Sequence, residues 1–349
     1  MLRFVLATSS LILGLAVTAC SSDSAPSTPA DDAGADAQAD GGADSLPSND
    51  PVVLATATGE VRWIEAYGDA LYWITSTGEV DVLDAKGTRT LGTVSLGRCA
   101  VAFAKGVLVS SKTATAEELI TFTPDGTKKV QTGFHTDACT IQGQTAVVVG
   151  ARQDGPSAFT DGVAFVGGAT LDFRAGAVSN STSAAGATAN DLYLVVQNSK
   201  AQEDLYIASF SGSMTFSLVA SNVPAPSFSP VLPDGSDLLW ITDAPSARGV
   251  VRFDAAKKEA TMATDLKGVL ATGESLSGSF AFDASSFYLT VTTSGSSAAA
   301  RLLRVNRTSA ASTELATGLV YSAPVTLFRT FAVSLRETAT ETEIVGFPR

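Results

Sequence analysis

The chain has 349 residues, a formal net charge of −12, 45% hydrophobic residues and 17% charged residues. This composition is typical of a packed globular domain and excludes a wholly disordered chain. Because no run of Lys and Arg is interleaved with aromatic residues, neither nucleic acid nor an anionic lipid surface is expected as an electrostatic partner.

The N-terminus carries a short apolar stretch, from Phe4 to Ala19, after the positive charge of Arg3. A stable transmembrane helix needs about 20 predominantly apolar residues, so this stretch is predicted to be a cleaved signal. Its last residues, Val17-Thr18-Ala19-Cys20, resemble the end of a bacterial lipoprotein signal. The resemblance implies a signal peptide over residues 1–19, cleavage between Ala19 and Cys20, and lipidation of Cys20, with palmitate among the acyl chains. An ordinary signal with an incidental cysteine is the alternative.

The same resemblance implies a location in the bacterial cell envelope. In enteric bacteria, Asp directly after the lipidated cysteine favours the inner membrane, and Ser21 stands there in this chain. We therefore expect an outer-membrane lipid anchor through Cys20, with the domain facing the periplasm or the cell exterior.

A polar segment follows the cysteine. From Ser21 to Asp50 there are seven Asp, no Lys or Arg and no aromatic residue. Such a segment cannot bury a core and is extended by its like charges. Residues 20–50 are therefore predicted to be the lipidated cysteine and a disordered acidic linker, and residues 51–349 the folded domain.

The domain contains seven similar segments rich in β-branched and aromatic residues. They begin at Leu71, Val107, Ala146, Leu192, Leu238, Phe287 and Phe331, so successive steps are 36, 39, 46, 46, 49 and 44 residues. Each follows turn residues and precedes a second alternating run, as in a β-hairpin. A repeat of this length, completed by one strand on each side of the hairpin, is the blade of a β-propeller. The fold class is therefore predicted to be all-β, with seven four-stranded antiparallel blades.

The two ends of the domain predict how the ring closes. The last repeat supplies three strands, the final one near Glu341 to Phe347, whereas the run Val52 to Ala57 precedes the first repeat. Because an unpaired sheet edge invites aggregation, we expect this N-terminal run to complete the last blade.

The first repeat carries a more specific resemblance. Leu71-Tyr72-Trp73-Ile74-Thr75, followed by Gly78 to Asp84, resembles the repeats of YWTD-type and related bacterial propellers, although the Asp that follows Thr in that motif is absent. The resemblance implies a propeller and no particular ligand. Five aromatic residues in the repeats are predicted to pack between blades: Tyr72, Trp73, Tyr193, Trp240 and Tyr288.

Motifs of catalysis are missing from the sequence. There is no Gly-x-Ser-x-Gly elbow, no His-Glu-x-x-His, no phosphate-binding loop with Lys and no Cys-x-x-Cys. The single histidine, His135, is expected in the connection entering the third repeat, exposed or hydrogen-bonded. No catalytic residue, metal ligand or cofactor is predicted.

Two cysteines remain besides Cys20. Cys99 lies eight residues before the second hairpin and Cys139 lies seven before the third. Matching places on neighbouring inner strands predict a disulfide, which an exported compartment permits. An unbonded pair packed near the axis is the alternative.

Two functions follow from these observations. The tether and the missing motifs favour an envelope lipoprotein whose propeller is a non-catalytic binding or scaffold module for a protein, peptide or glycan, so that an enzyme is less expected. The alternative is a propeller enzyme of lactonase or lyase type, with a metal or carboxylate site in the axial channel.

Overall fold

The seven-bladed ring predicted from the repeats is the observed fold. A computed structural model describes residues 50–349 except 114–116, 156, 168–170, 177–181, 228–229, 245, 294–299 and 322. The predicted signal peptide and Cys20 lie outside the described residues, as does the predicted linker apart from Asp50. Within the described part of the chain, no helix has the length and apolar character needed to cross a bilayer.

The chain enters the ring through β1 (Val52–Ala57), which belongs to the last blade. The first three blades follow in chain order. Blade 1 contains β2 (Val61–Tyr67), β3 (Ala70–Thr75), β4 (Glu79–Asp84) and β5 (Gly87–Thr93). Blade 2 contains β6 (Leu96–Phe103), β7 (Gly106–Lys112), β8 (Glu117–Phe122) and β9 (Lys128–Thr132). Blade 3 contains β10 (Phe134–Gln142), β11 (Thr145–Gly155), β12 (Ala158–Val166) and β13 (Leu171–Ala175).

The remaining blades repeat this order. Blade 4 contains β14 (Thr182–Ala187), β15 (Asp191–Gln197), β16 (Glu203–Ser209) and β17 (Ser217–Val223). Blade 5 contains β18 (Leu232–Asp234), β19 (Asp237–Ala244), β20 (Ala247–Asp254) and β21 (Glu259–Asp265). Blade 6 contains β22 (Glu274–Phe282), β23 (Ser286–Thr293), β24 (Ala300–Asn306) and β25 (Ser312–Leu319). Blade 7 contains β26 (Thr326–Phe328), β27 (Phe331–Glu337), β28 (Thr342–Pro348) and β1.

The ring closes through its two ends, as the sequence predicts. Strand β1 pairs antiparallel with β28, with Val52 opposite Gly346 and Ala57 opposite Thr342. The Thr342 hydroxyl also donates to the carbonyl of Gly59, 2.8 Å away, which ties blade 7 to the segment leading into blade 1. The last blade therefore contains strands from both ends of the domain.

The core is distributed among the interfaces between blades, because each sheet buries both faces against its neighbours. The apolar clusters of the described residues each contain side chains from adjacent blades. The five aromatic residues predicted to pack between blades are buried, with exposures between 0 and 3%. At the interface of blades 4 and 5, a Cβ on Gly186 would lie only 2.6 Å from Cγ1 of Val231. These two blades approach too closely for a side chain at that position.

The predicted disulfide is present. Cys99 on β6 and Cys139 on β10 are bonded, with their Cα atoms 6.0 Å apart, so that the innermost strands of blades 2 and 3 are covalently joined. The bond closes a loop across a sequence separation of 40 residues.

Replacing both cysteines with serine is expected to lower the free energy of unfolding by about 2–4 kcal/mol, because the cross-link restricts the unfolded chain. Denaturant unfolding of the double variant and of the oxidised wild type measures this difference. Equal unfolding free energies, with the wild-type bond verified by non-reducing peptide mapping, would contradict the expectation.

Candidate functional site

An axial channel runs where the innermost strands meet. Its cavity, about 550 Å³, is lined by residues in or directly before the first strands of six blades. Most of this lining is apolar: Trp63, Ile64, Ala100, Val101, Ile141, Val231, Leu232, Phe280, Ala281 and Val325, with Pro230, Pro233 and Pro324. A second cavity of about 380 Å³ includes side chains from blade 4 and shares Glu65, Ile141 and Pro233 with the first.

Polar side chains in the channel wall satisfy backbone groups of neighbouring blades. The innermost strand of each blade has an edge toward the axis, and backbone groups on such an edge need hydrogen-bond partners. Ser279 Oγ accepts from the N–H of Val325 at 3.0 Å, and Thr326 Oγ1 accepts from the N–H of Ala66 at 3.3 Å. These bonds join blade 6 to blade 7 and blade 7 to blade 1.

Glu65 continues this series with a carboxyl group. Its Oε2 accepts from the N–H of Ala102 at 2.8 Å, which joins blade 1 to blade 2. Burial raises the pKa of Glu65 to about 7, while the hydrogen bond from Ala102 acts in the opposite direction. Among the described residues no cation pairs with this carboxyl group. Glu65 is therefore divided between neutral and charged forms near neutral pH.

The rim of the second cavity is held by further bonds between blades. The Tyr67 hydroxyl donates to the carbonyl of Gly143 at 3.1 Å, and Gln142 Nε2 donates to the carbonyl of Ala189 at 2.9 Å. These contacts fix blade 1 against blade 3 and blade 3 against blade 4 beside Glu65. The channel wall is thus braced around its one carboxylate among the described lining residues.

A larger groove, about 900 Å³, lies between blades 5 and 6 and is lined by many charged residues. Its cations are already paired: Arg307 with Asp234, Lys257 with Asp254 at 2.8 Å, and Arg252 with Asp237 through Nε at 2.8 Å. Among the described residues that line the groove, these pairs leave no unpaired cation for an anionic ligand. The groove is therefore a weaker candidate than the channel.

His135 differs in place from the expectation, because it lies within β10 and not in a connection. It is hydrogen-bonded and 37% exposed: Nδ1 lies 2.5 Å from Glu117 Oε2, and Nε2 lies 3.7 Å from Asp137 Oδ1. Although burial acts in the opposite direction, Lys112 and His135 hold the pKa of Glu117 below its ordinary value. Burial raises the pKa of Asp137. The two distances show that both ring nitrogens of His135 face carboxylates.

Of the site residues predicted from the sequence, one lies in the lining of the channel as the described residues define it. Cys139 lines the channel and its disulfide partner Cys99 lies on the adjacent strand. Ala19 and Cys20 lie outside the described residues. No three His, Cys, Asp or Glu side chains in the described part of the chain are grouped to hold a metal ion.

Glu65 was missed by the sequence analysis. The available signal was a carboxylate within the apolar run Trp63-Ile64-Glu65-Ala66-Tyr67 of a predicted innermost strand. A charged residue in such a run needs a partner or a function, because burying an unpaired charge is costly.

Comparisons with known proteins identify the fold class and no family. No family model matches the chain, and no curated protein matches it. Among solved structures, a puromycin-hydrolysing peptidase of Mycobacterium tuberculosis is 12% identical with a TM-score of 0.55, over 81% of this chain and 50% of that one. A solved structure from work on two prolyl endopeptidases is also similar to this chain. It is 10% identical with a TM-score of 0.54, over 81% of this chain and 45% of that one. The chain thus spans about half the length of these peptidases.

A third similar structure is itself an isolated propeller. The β-propeller domain of the Trilobed protease from Pyrococcus furiosus is 11% identical with a TM-score of 0.57, over 83% of this chain and 95% of that one. That domain has an open velcro topology, whereas β1 and β28 close the ring here. At these identities the likeness establishes the β-propeller fold.

These comparisons correct the expected function. The missing motifs favoured a non-catalytic binding or scaffold module over an enzyme, with a lactonase or lyase as the alternative. That assignment was wrong, because the similar propellers belong to peptidases. The missing motifs were not valid evidence against an enzymatic role.

The variant Glu65→Gln is expected to remove a pH dependence of stability. The folded-state pKa of Glu65 is raised from 4.5 to about 7. The stability that its protonated form contributes is therefore fully present below pH 4.5 and is lost as the pH rises through about 7. Relative to the variant, the wild type should lose about 2–3 kcal/mol of unfolding free energy between pH 5 and pH 8. Denaturant unfolding at both pH values measures this, and parallel stability profiles of the two proteins would contradict it.

Proposed function

We propose that this propeller takes part in peptide hydrolysis, as the lobe that holds a peptide for a catalytic domain outside its described residues. The observation that carries the proposal is the likeness to propellers of three peptidases over 81–83% of the chain. The chain spans about half the length of two of them. The role proposed for it is therefore to hold the peptide and not to hydrolyse it.

The channel supports a peptide as the ligand. A cavity of about 550 Å³ is within the range that holds small ligands, and it is too small for a folded domain. Apolar walls can contact the side chains of an extended peptide, while Thr140, Ser279 and Thr326 place polar groups along the same wall. Selection of unfolded peptides over folded proteins follows from this size.

The surroundings of His135 support a catalytic domain elsewhere. A serine-type hydrolase needs a base whose free ring nitrogen faces a nucleophilic hydroxyl. Here Nδ1 bonds Glu117 and Nε2 faces Asp137, and the described contacts of this ring include no hydroxyl. His135 is the chain's one histidine, so we assign the hydrolytic step to another polypeptide or domain.

Peptide binding in the channel is expected to change the fluorescence of Trp63. Trp63 lines the channel, whereas Trp73 and Trp240 are fully buried in the blades. A capped peptide, acetyl-Ala-Ala-Gln-Ala-Ala-amide, titrated into the purified full chain should give a saturable change that Trp63→Phe abolishes. Ala100→Trp, which fills the channel, should prevent binding, and Lys257→Ala in the outer groove should leave binding unchanged.

The same variants extend the test to hydrolysis. The chain is crosslinked in intact envelopes of cells that produce it, and the recovered complex is assayed with a fluorogenic peptide. We expect hydrolysis by the wild-type complex and its loss with Ala100→Trp at equal recovery. A recovered complex without peptidase activity, or a channel that binds no peptide, would refute the proposed function.

We also propose that the mature chain is tethered to the bacterial outer membrane through lipid on Cys20. The proposal rests on the apolar stretch ending in Val17-Thr18-Ala19-Cys20, on Ser21, and on the acidic segment that follows. Several acyl chains, each contributing ~0.8 kcal/mol per buried methylene, make such attachment effectively permanent.

Cys20→Ser is expected to release the protein from the membrane, because it removes the sulfur that carries the lipid. Radiolabelled palmitate should be incorporated into the wild type and not into the variant, and detergent phase partition should move the variant to the aqueous phase. A wild type that takes up no label and partitions like the variant would contradict the lipid anchor.

A further inference from the structure

One carboxyl oxygen in the channel has no hydrogen-bond partner among the described residues. Glu65 Oε2 is occupied by the N–H of Ala102, whereas the described residues give Oε1 no hydrogen bond or ion pair. Glu65 lines both channel cavities, so this group lies where they meet. An acceptor oxygen in this position is available to a ligand from either cavity.

Few other charges face this position. Of the described residues that line the two cavities, only Arg62, Glu65 and Tyr67 have side chains that titrate, since Cys139 is in a disulfide. The Arg62 side chain is 57% exposed, and its Nε lies 3.6 Å from Glu60 Oε2. The Tyr67 hydroxyl is engaged by Gly143. The charge of Glu65 is therefore uncompensated when the group ionises.

We propose that the Glu65 carboxylate recognises a positively charged side chain, Lys or Arg, of a peptide that occupies the channel. The inference rests on the proposed function, and it assigns a substrate class to that site. An ammonium or guanidinium group supplies the donors that a carboxylate accepts, and such charge-assisted bonds are stronger than neutral ones. Apolar walls strengthen the attraction, because they exclude water from around the pair.

The identity of residue 65 supports this role. The bond to Ala102 needs one acceptor oxygen, which the neutral amide of Gln would supply equally well. A carboxylate in this place costs desolvation that an amide avoids, and only the carboxylate gives a cation a counter-charge. The contact with Ala102 therefore uses one oxygen of Glu65, and it requires neither the second oxygen nor the negative charge.

Binding of a cation is expected to be linked to loss of the Glu65 proton. The pKa of Glu65 in the free protein is about 7, so about half of the molecules are protonated at pH 7. A cationic ligand prefers the ionised form and should release about half a proton per peptide bound at that pH. Its affinity should rise between pH 5.5 and pH 8, a range in which Arg remains charged.

The test compares two capped peptides, acetyl-Ala-Ala-Arg-Ala-Ala-amide and the same peptide with Gln in place of Arg. Trp63 emission of the full chain reports the affinity of each, and calorimetry in buffers of different ionisation enthalpy reports proton release. At pH 8 the Arg peptide should bind the wild type about tenfold more tightly than the Gln peptide. Glu65→Gln should abolish that preference and the proton release. Glu337→Gln, a matched control at an exposed position outside both cavities, should retain both.

The outcomes separate this inference from the function on which it rests. Equal affinity of both peptides for the wild type at pH 8, or an Arg preference that survives Glu65→Gln, would overturn the role of Glu65 and leave a peptide-binding channel in place. If neither peptide changes Trp63 emission, the inference and the proposed function fail together. If Glu65→Gln alters the fold, its Gln-peptide affinity will also fall, and unchanged affinity for that peptide verifies an intact channel.

Discussion

The structure depends on satisfying the free edges of β-sheets. Each blade has an inner edge toward the axis and an outer edge toward solvent, and an open ring would add an exposed face at its ends. Pairing of β1 with β28 gives the last blade four strands from opposite ends of the domain. Around the axis, side chains from one blade accept from backbone N–H groups of the next, as Ser279 and Thr326 do. Ring closure and the contacts of the channel wall therefore both satisfy backbone groups at the edges of the sheets.

The candidate function depends on a channel-wall contact that is made by a charged group. Glu65 performs the same wall contact as Ser279 and Thr326, but its carboxyl group has a second oxygen and a pKa near neutrality. The outer groove between blades 5 and 6 is larger, yet its cations are compensated by adjacent carboxylates. What distinguishes the channel is an acceptor oxygen of Glu65 to which no other described residue donates a hydrogen bond, set in a mostly apolar wall. The peptide ligand that we propose for this channel rests on the likeness of the fold to propellers of peptidases.

Much of the fold was predictable because its signals are local and repeated. Seven hairpins, the pairing of Val52 to Ala57 with the last strand, and the Cys99–Cys139 bond each follow from sequence position. The apolar run around Glu65 marks this carboxyl group as unusual, but its contact with Ala102 was not predictable, because that contact depends on how two blades are placed around the axis. His135 was assigned to a connection since Gly133 precedes it, but pairing with β11 extends the strand through it. The expected function was wrong because it relied on missing motifs, and an absent motif is weak evidence about activity.

The most direct test of the account is hydrogen exchange along β28 in the purified full chain. If β1 closes the ring, β28 is an interior strand, and all its amides from Thr342 to Gly346 should be protected as well as those of β24, the corresponding strand of blade 6. A closed ring also keeps the channel walls, including Glu65 and Ala102, in fixed register. Fast exchange at alternate amides of β28, as in an unpaired edge strand, would contradict the closed ring and the channel geometry derived from it.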